Sequence, residues 1–326
     1  MHHHEPANRS AELMLGLANE REGMVQILMQ GKFMLGSMAV LLAAGPCVFS
    51  LASTPGDSAP RLPRPDHIVV VIEENHAYSQ IINSPDAPYI NSLVARGALF
   101  TRSFGVTYPS QPNYLALFSG STQGIADNSC PQSFTTPNLG HSLLAEGLTF
   151  AGYSEDLPLV GSPICSMGLY ARKHNPWVNW QGSKTHGLPE TANLPLTSFP
   201  TEFTQLPTVS VVVPNQANDM HHGKDPPAIQ TGDRWLKEHL DAYVQWAQNH
   251  NSLLILTWDE DNKQENNRIV TLFVGPMVVP GRYNQRITHI HVLRTIEGLF
   301  GLSHAGESVD AEPITKIWSS FVRADE

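Results

Sequence analysis

The tightest constraint on this chain comes from three runs of apolar, largely β-branched residues: HIVVVI at 67–72, TVSVVVPN at 208–215 and LLILTW at 253–258. A strand that leaves one face in water alternates apolar with polar side chains. These runs do not alternate, so both of their faces must be covered, as in a parallel sheet packed between helices. Residues 88–100 place Tyr89, Ile90, Leu93 and Val94 at helical spacing, with Gly97 as a stop before a short strand. Residues 138–146 predict a second helix, ended by Gly147 and followed by a strand at 148–153. Over 233–250, Leu236, Leu240, Tyr243, Val244 and Ala247 fall on one face, with Asp233 as the cap. A strand at 269–274 and a helix at 291–300 close the chain. Strands alternating with helices predict an α/β fold: a mostly parallel central sheet with helices on both faces. Between residues 154 and 207 the periodicity is lost, and the stretch reads as an ordered excursion rather than a second domain.

Residues 33–52, FMLGSMAVLLAAGPCVFSLA, carry no charge and follow Lys32 directly. They read as an export signal, cleaved after Ala52, with a membrane anchor as the rival reading. Gly45 and Pro46 interrupt the run and favour the signal, so the protein is expected to be periplasmic or secreted. The division is then an N-terminal extension at 1–53 and a single domain at 54–326. In an oxidising compartment the two remaining cysteines, Cys130 and Cys165, are expected to pair; two separate buried thiols are the alternative. The formal net charge of −10 argues against a grip on the phosphate backbone of nucleic acid and makes a cationic metal the more natural partner. A membrane enters only through the N-terminal segment, if it is uncleaved.

In open α/β sheets, ligands bind beyond the carboxyl ends of the strands. Here those ends carry Glu74 and Asn75, then Asp219 and His221, then Asp259 and Glu260, with His289 at a fourth place. Each pair alone is an ordinary solvated loop. Together they are an oxygen-rich set with a few imidazoles, suited to a divalent ion: calcium, magnesium, manganese or zinc. The stretch TYPSQPNYLALFSGSTQGIADN, residues 107–128, predicts a short helix beginning at Ser110 near that edge. Its hydroxyl is either a nucleophile beside the positive helix end or a simple N-cap.

With VIEENHAYSQII, PYINSLVARGALFTRSF, VVPNQANDMHHG, LLILTWDEDN and THIHVLRTIEGLFGL in the same order and spacing, the chain resembles the phosphoesterase family of bacterial acid phosphatases and phospholipases C, within the alkaline phosphatase superfamily. The resemblance spans residues 66–302 and implies an alkaline phosphatase-like α/β/α sandwich that hydrolyses small phosphate esters with a divalent metal. It makes Ser110 the nucleophile, which passes through a phosphoserine, and Glu74, Asn75, Asp259 and Glu260 ligands of the metal that also holds the Ser110 oxygen. Asn128 looks like a residue that binds a phosphoryl oxygen. Asp219, His221 and His289 resemble positions that hold a second metal or contact phosphate, with His221 or His289 protonating the leaving group. Lys173 and His174 are candidates for substrate contact, and Arg268 for a positive charge in place of a second ion. Asp219 and His221 stand closer together than in two-zinc relatives and no histidine closely follows Glu260, which leaves the metal count open.

A phospholipase C or other phosphodiesterase of the same family is the neighbouring reading. A sulfatase is the nearest enzymatic rival, because Ser110, Gln111 and Pro112 resemble the start of the sulfatase signature, and Tyr114, which stands where that signature needs arginine, argues against it. A secreted metal-binding module without turnover is the non-enzymatic rival.

Overall fold

The computed structural model describes residues 62–319, all within one compact unit, Asp57–Glu326. The extension at 1–53, with its export-signal reading, lies outside the described residues. Among the described residues no helix is long and apolar enough to cross a membrane.

In chain order the elements are β1 (His67–Glu73), α1 (Tyr78–Ile81), α2 (Pro88–Val94), β2 (Ala98–Phe104), α3 (Ser110–Ser119), α4 (Leu139–Ala145), β3 (Phe150–Ser154), β4 (Ser166–Met167), β5 (Tyr170–Ala171), β6 (Asn193–Pro195), β7 (Val209–Val213), α5 (Pro227–Ala247), β8 (Ser252–Trp258), β9 (Arg268–Ile269), β10 (Thr271–Val274), β11 (Gly281–Thr288) and α6 (His289–Phe300). Nine strands make one sheet in the order β11-β2-β10-β8-β1-β7-β3-β6, with β9 on β2. Only β10 and β9 run against the rest, so the sheet is mostly parallel, as predicted.

The charge-free runs lie at its centre. Ile68, Val70 and Ile72 of β1 enter the core on one face, and Val69 and Val71 enter the core on the other. Each fully buried aliphatic side chain contributes about 2 kcal/mol. Helix α3 is buried along all ten residues, which is why its sequence shows no polar stripe. It ends at Gly120, whose φ of +66° and proximity to Ala305 leave no room for a Cβ.

Two expectations are corrected. Helix α5 starts six residues before Asp233, behind Pro227. The Asp233 carboxylate instead accepts from Tyr89 N (3.0 Å) and Ile90 N (2.8 Å), so it caps α2, whose own flanking residue is Ala87. The segment between the predicted strand at 269–274 and the closing helix, for which no element is predicted, holds edge strand β11. The excursion after β3 holds a small hairpin, β4–β5, and 3-10 turns at Arg172–His174 and Pro176–Trp180. It is pinned to the sheet by Trp177, whose indole lies where a Cβ on Gly152 would sit. Cys130 and Cys165 are bonded, with Cα atoms 5.8 Å apart.

Candidate active site

Strand register assembles the site. In the parallel pair β1 and β8, Glu73 lies opposite Trp258, so the next residues, Glu74 and Asp259, emerge side by side. On the other flank Glu74 N donates to Asp219 O at 2.8 Å. Three polar strand ends that are far apart in sequence thus share one edge.

Helix α3 meets them from above. Its N-cap is Pro109, with no side-chain cap, and Ser110 is its first helical residue. Asn113 holds the incoming loop by accepting from Val106 N and Thr107 N and donating to Thr107 O. The Ser110 hydroxyl is therefore not spent on capping. It donates to Glu74 Oε2 at 3.1 Å, beside the positive end of the helix. Asn128 stands at the same helix end, its Oδ1 accepting from Gln111 N at 3.0 Å.

Glu74 is the hub. Oε2 also accepts from Asn75 Nδ2 (3.0 Å), and Oε1 accepts from the Tyr114 hydroxyl (2.7 Å). His174, fully buried, brings Nε2 to 2.9 Å from Glu74 Oε1 at an angle that makes no hydrogen bond, and Nδ1 to 3.4 Å from Asp219 Oδ2. Its ring stacks on Tyr114, centroids 5.0 Å apart. His221 follows on the Asp219 loop, its backbone N held by Asp219 Oδ1 and its Nε2 3.2 Å from Lys173 Nζ. Asp259 Oδ1 accepts from Asn75 N and Glu260 N, while Glu260 Oε2 accepts from Asn113 Nδ2 at 3.3 Å.

Burial without a counter-charge pushes the carboxyls up. Asp259 is raised well above its usual range by burial and then by Glu74; Glu260 is raised to about 9 by burial and then by Asp259; Asp219 is raised to about 7 by burial. Burial also raises Glu74, against the pull of Lys173. The imidazoles move the other way: burial lowers His174, takes His221 to about 3 with Lys173 adding to it, and takes His289 to about 4. Carboxyls raised by burial and imidazoles held neutral are groups that a divalent cation would bind and ionise.

The orphaned atoms agree with a cation. Asp259 Oδ2, Asp219 Oδ2, His174 Nε2, His221 Nδ1 and His289 Nδ1 are buried without hydrogen-bond partners, and ligand atoms of Glu74, His174 and His221 all lie within 4.8 Å of one another. The residues present fit a divalent metal.

The structure brings Glu74, Asn75, Ser110, Asp219, His174, His221, Asp259 and Glu260 to one edge. His174, expected at the substrate, is instead shut in between Glu74 and Asp219. His289 is buried with Nε2 on Trp258 O at 2.8 Å, which directs its proton there and leaves Nδ1 as an acceptor. Arg268 turns away to Glu265 and to the ring of Tyr78. Sequence reasoning missed Tyr114 as a partner of Glu74. The signal was present: Tyr114 is four residues after Ser110, one turn along the same face.

A family model described as the Phosphoesterase family matches residues 82–303. Among curated proteins, the phosphatidylinositol-3-phosphatase of Mycobacterium tuberculosis is 49% identical over 266 residues, covering 81% of this chain and 86% of its own. An acid phosphatase of Aspergillus fumigatus is 27% identical, covering 66% of this chain, which spans about half (51%) of that relative's length. Among solved structures, a protein of the alkaline phosphatase superfamily from Vibrio parahaemolyticus superposes with a TM-score of 0.55 at 12% identity, covering 78% of this chain and 72% of its own; this likeness speaks to the fold.

Proposed function

The chain belongs to the phosphoesterase family and is a phosphoric ester hydrolase, and on that premise we propose that Ser110 is the nucleophile of a metal-dependent phosphatase working through a phosphoserine. The observation that carries the reading is Ser110 Oγ on Glu74 Oε2 at the N-terminus of α3, beside buried carboxylates and imidazoles that have unpartnered atoms. Glu74, Asp259 and Glu260, with His174, His221 and Asp219 close by, would hold the ion. When bound, a divalent metal supplies Lewis-acid charge that favours the serine alkoxide and offsets phosphoryl charge.

The chain's own groups do the rest. Ser110 loses its proton toward Glu74 as it attacks phosphorus, and the first-turn amides of α3 face the phosphoryl oxygens. Asn128, docked on Gln111 N, offers its amide to one of those oxygens. Lys173 adds the nearby positive charge. Lys173, whose Nζ lies 3.2 Å from His221 Nε2, is the ammonium that protonates the leaving alkoxide, in place of His221, which is held neutral beside the ion, and of His289, whose proton is committed to Trp258 O. Water then hydrolyses the phosphoserine, and the Ser110 oxygen leaves.

The relative's name supports a finer reading of the substrate, a phosphate monoester on a lipid headgroup, within the broader class of small phosphate esters.

Ser110→Ala is the test. With a chromogenic phosphomonoester its rate should fall by about a thousandfold or more, and acid-quenched parent protein, unlike the variant, should carry one covalent phosphate at Ser110 by mass spectrometry. Full activity in the variant would sink the assignment.

A further inference from the structure

From Leu157 to Ala171 the chain has no charged residue, yet much of this stretch is on the surface. Leu159, Val160, Ile164, Met167 and Leu169 are 36–72% exposed. Isolated exposed aliphatics are ordinary, but five within eleven residues form a patch that calls for a partner. The patch is held in shape. Cys165 is bonded to Cys130, β4 and β5 close a hairpin at the tip, and Gly161 N donates to Asn193 O. It is also tied to the site: Leu169 O accepts from Gln216 N, Gln216 O accepts from His222 N beside His221, and Arg172 N donates to Cys165 O one residue before Lys173.

The excursion follows the carboxyl end of β3, at the edge of the sheet where the site lies. At the other side of the sheet, β2 and β11 run parallel to β1 and end on that same edge. There Arg102 and Arg286 are register partners, both exposed, and neither forms an ion pair among the described residues. Arg286 lies over the ring of Phe104 at 4.6 Å. Two exposed arginines at paired positions of β2 and β11, neither in an ion pair among the described residues, offer positive charge to an external anion.

We propose that this edge docks on an anionic lipid bilayer, with the 157–171 platform entering the headgroup region, Arg102 and Arg286 meeting lipid phosphates, and the site between them facing the surface. The inference rests on the hydrolase reading for its purpose but not for its test. A bilayer suits both halves at once: hydrocarbon accepts an uncharged ridge, and surface anions accept the arginines at a range of about 10 Å in ordinary salt. A second copy of this chain would have to answer an apolar ridge and an arginine pair with one acidic, apolar surface.

Hydrogen exchange on the full chain, with and without phosphatidylcholine–phosphatidylserine vesicles, reads the contact directly. Protection of peptides spanning 157–171 and 281–288 only with vesicles is the expected result, strongest with the anionic lipid. Unchanged exchange at 157–171 would overturn the proposal, as would protection that grows with protein concentration alone and accompanies a dimer in sedimentation. Leu159→Asp with Val160→Asp should lower turnover of a phosphoester presented in vesicles by about tenfold or more and leave turnover of a soluble ester unchanged. Equal loss on both would also overturn it. Parent protein inactive on every ester would count against the hydrolase reading alone, since the exchange result does not depend on turnover.

Discussion

Ser110 and Tyr114 lie one helical turn apart and donate to the two oxygens of the same carboxylate, Glu74. That arrangement gives Tyr114 a positioning role: its hydroxyl fixes the carboxylate plane and its ring supports His174. Tyr114→Phe keeps the stack and removes the hydrogen bond, so metal affinity should fall by about tenfold or more, with a smaller change in stability. Titration with the metal by calorimetry checks this, and an unchanged affinity would mean that Glu74 is held well enough by Ser110, Asn75 and the backbone. Strand-end carboxylates were readable in the sequence because parallel strands must end on a common edge. The spacing of Tyr114 puts it on the face of Ser110, but its partner depends on which side of α3 faces Glu74, and that is set by packing. His174 was misplaced for a related reason: nothing local shows that the 3-10 turn at Arg172–His174 carries it inward between two carboxylates.

Among the elements, the central strands were legible because burial on both faces removes polar residues from them altogether. Edge strand β11 was not. It interleaves Arg282, Asn284 and Arg286 with half-buried residues, and that pattern is indistinguishable from a loop. Helix α5 shows the same limit, since Asp233 is a good cap residue by type but caps a different helix. Its carboxylate satisfies two amides at the start of α2, which lacks a capping side chain of its own. Asp233→Ala should therefore destabilise the fold by about 1–3 kcal/mol by leaving buried amides unpaired. Asp233→Asn, which keeps one acceptor oxygen, should cost less. Chemical denaturation with turnover measured in parallel checks both, and because the Asp233 carboxylate bonds the amides of α2 rather than a site residue, activity per folded molecule should be kept.

For the molecule as a whole, a site of raised carboxyls ties stability to both pH and metal. Glu260 is raised to about 9 and Asp219 to about 7, with Asp259 raised well above its usual range. A carboxyl whose folded pKa exceeds its unfolded value binds more protons in the native state, so stability falls as pH rises toward the folded value. The neutral imidazoles His221 and His289, lowered to about 3 and about 4, oppose this only below their unfolded value near 6.5. Between pH 7 and pH 9 Glu260 carries the effect with little opposition, since Asp219 has titrated by about pH 7. Metal-free protein should therefore melt about 5 °C lower at pH 9 than at pH 7. A bound divalent ion favours the ionised carboxylates and should reverse the sign, raising the melting temperature most at the higher pH, where fewer protons compete for the ligands. Calorimetry after exhaustive chelator dialysis, repeated with calcium, magnesium, manganese or zinc added singly, measures both slopes. A metal-free melting temperature that is flat from pH 7 to pH 9 would show that these carboxyls ionise freely, and an edge so at ease with its own charge would have no need of a cation.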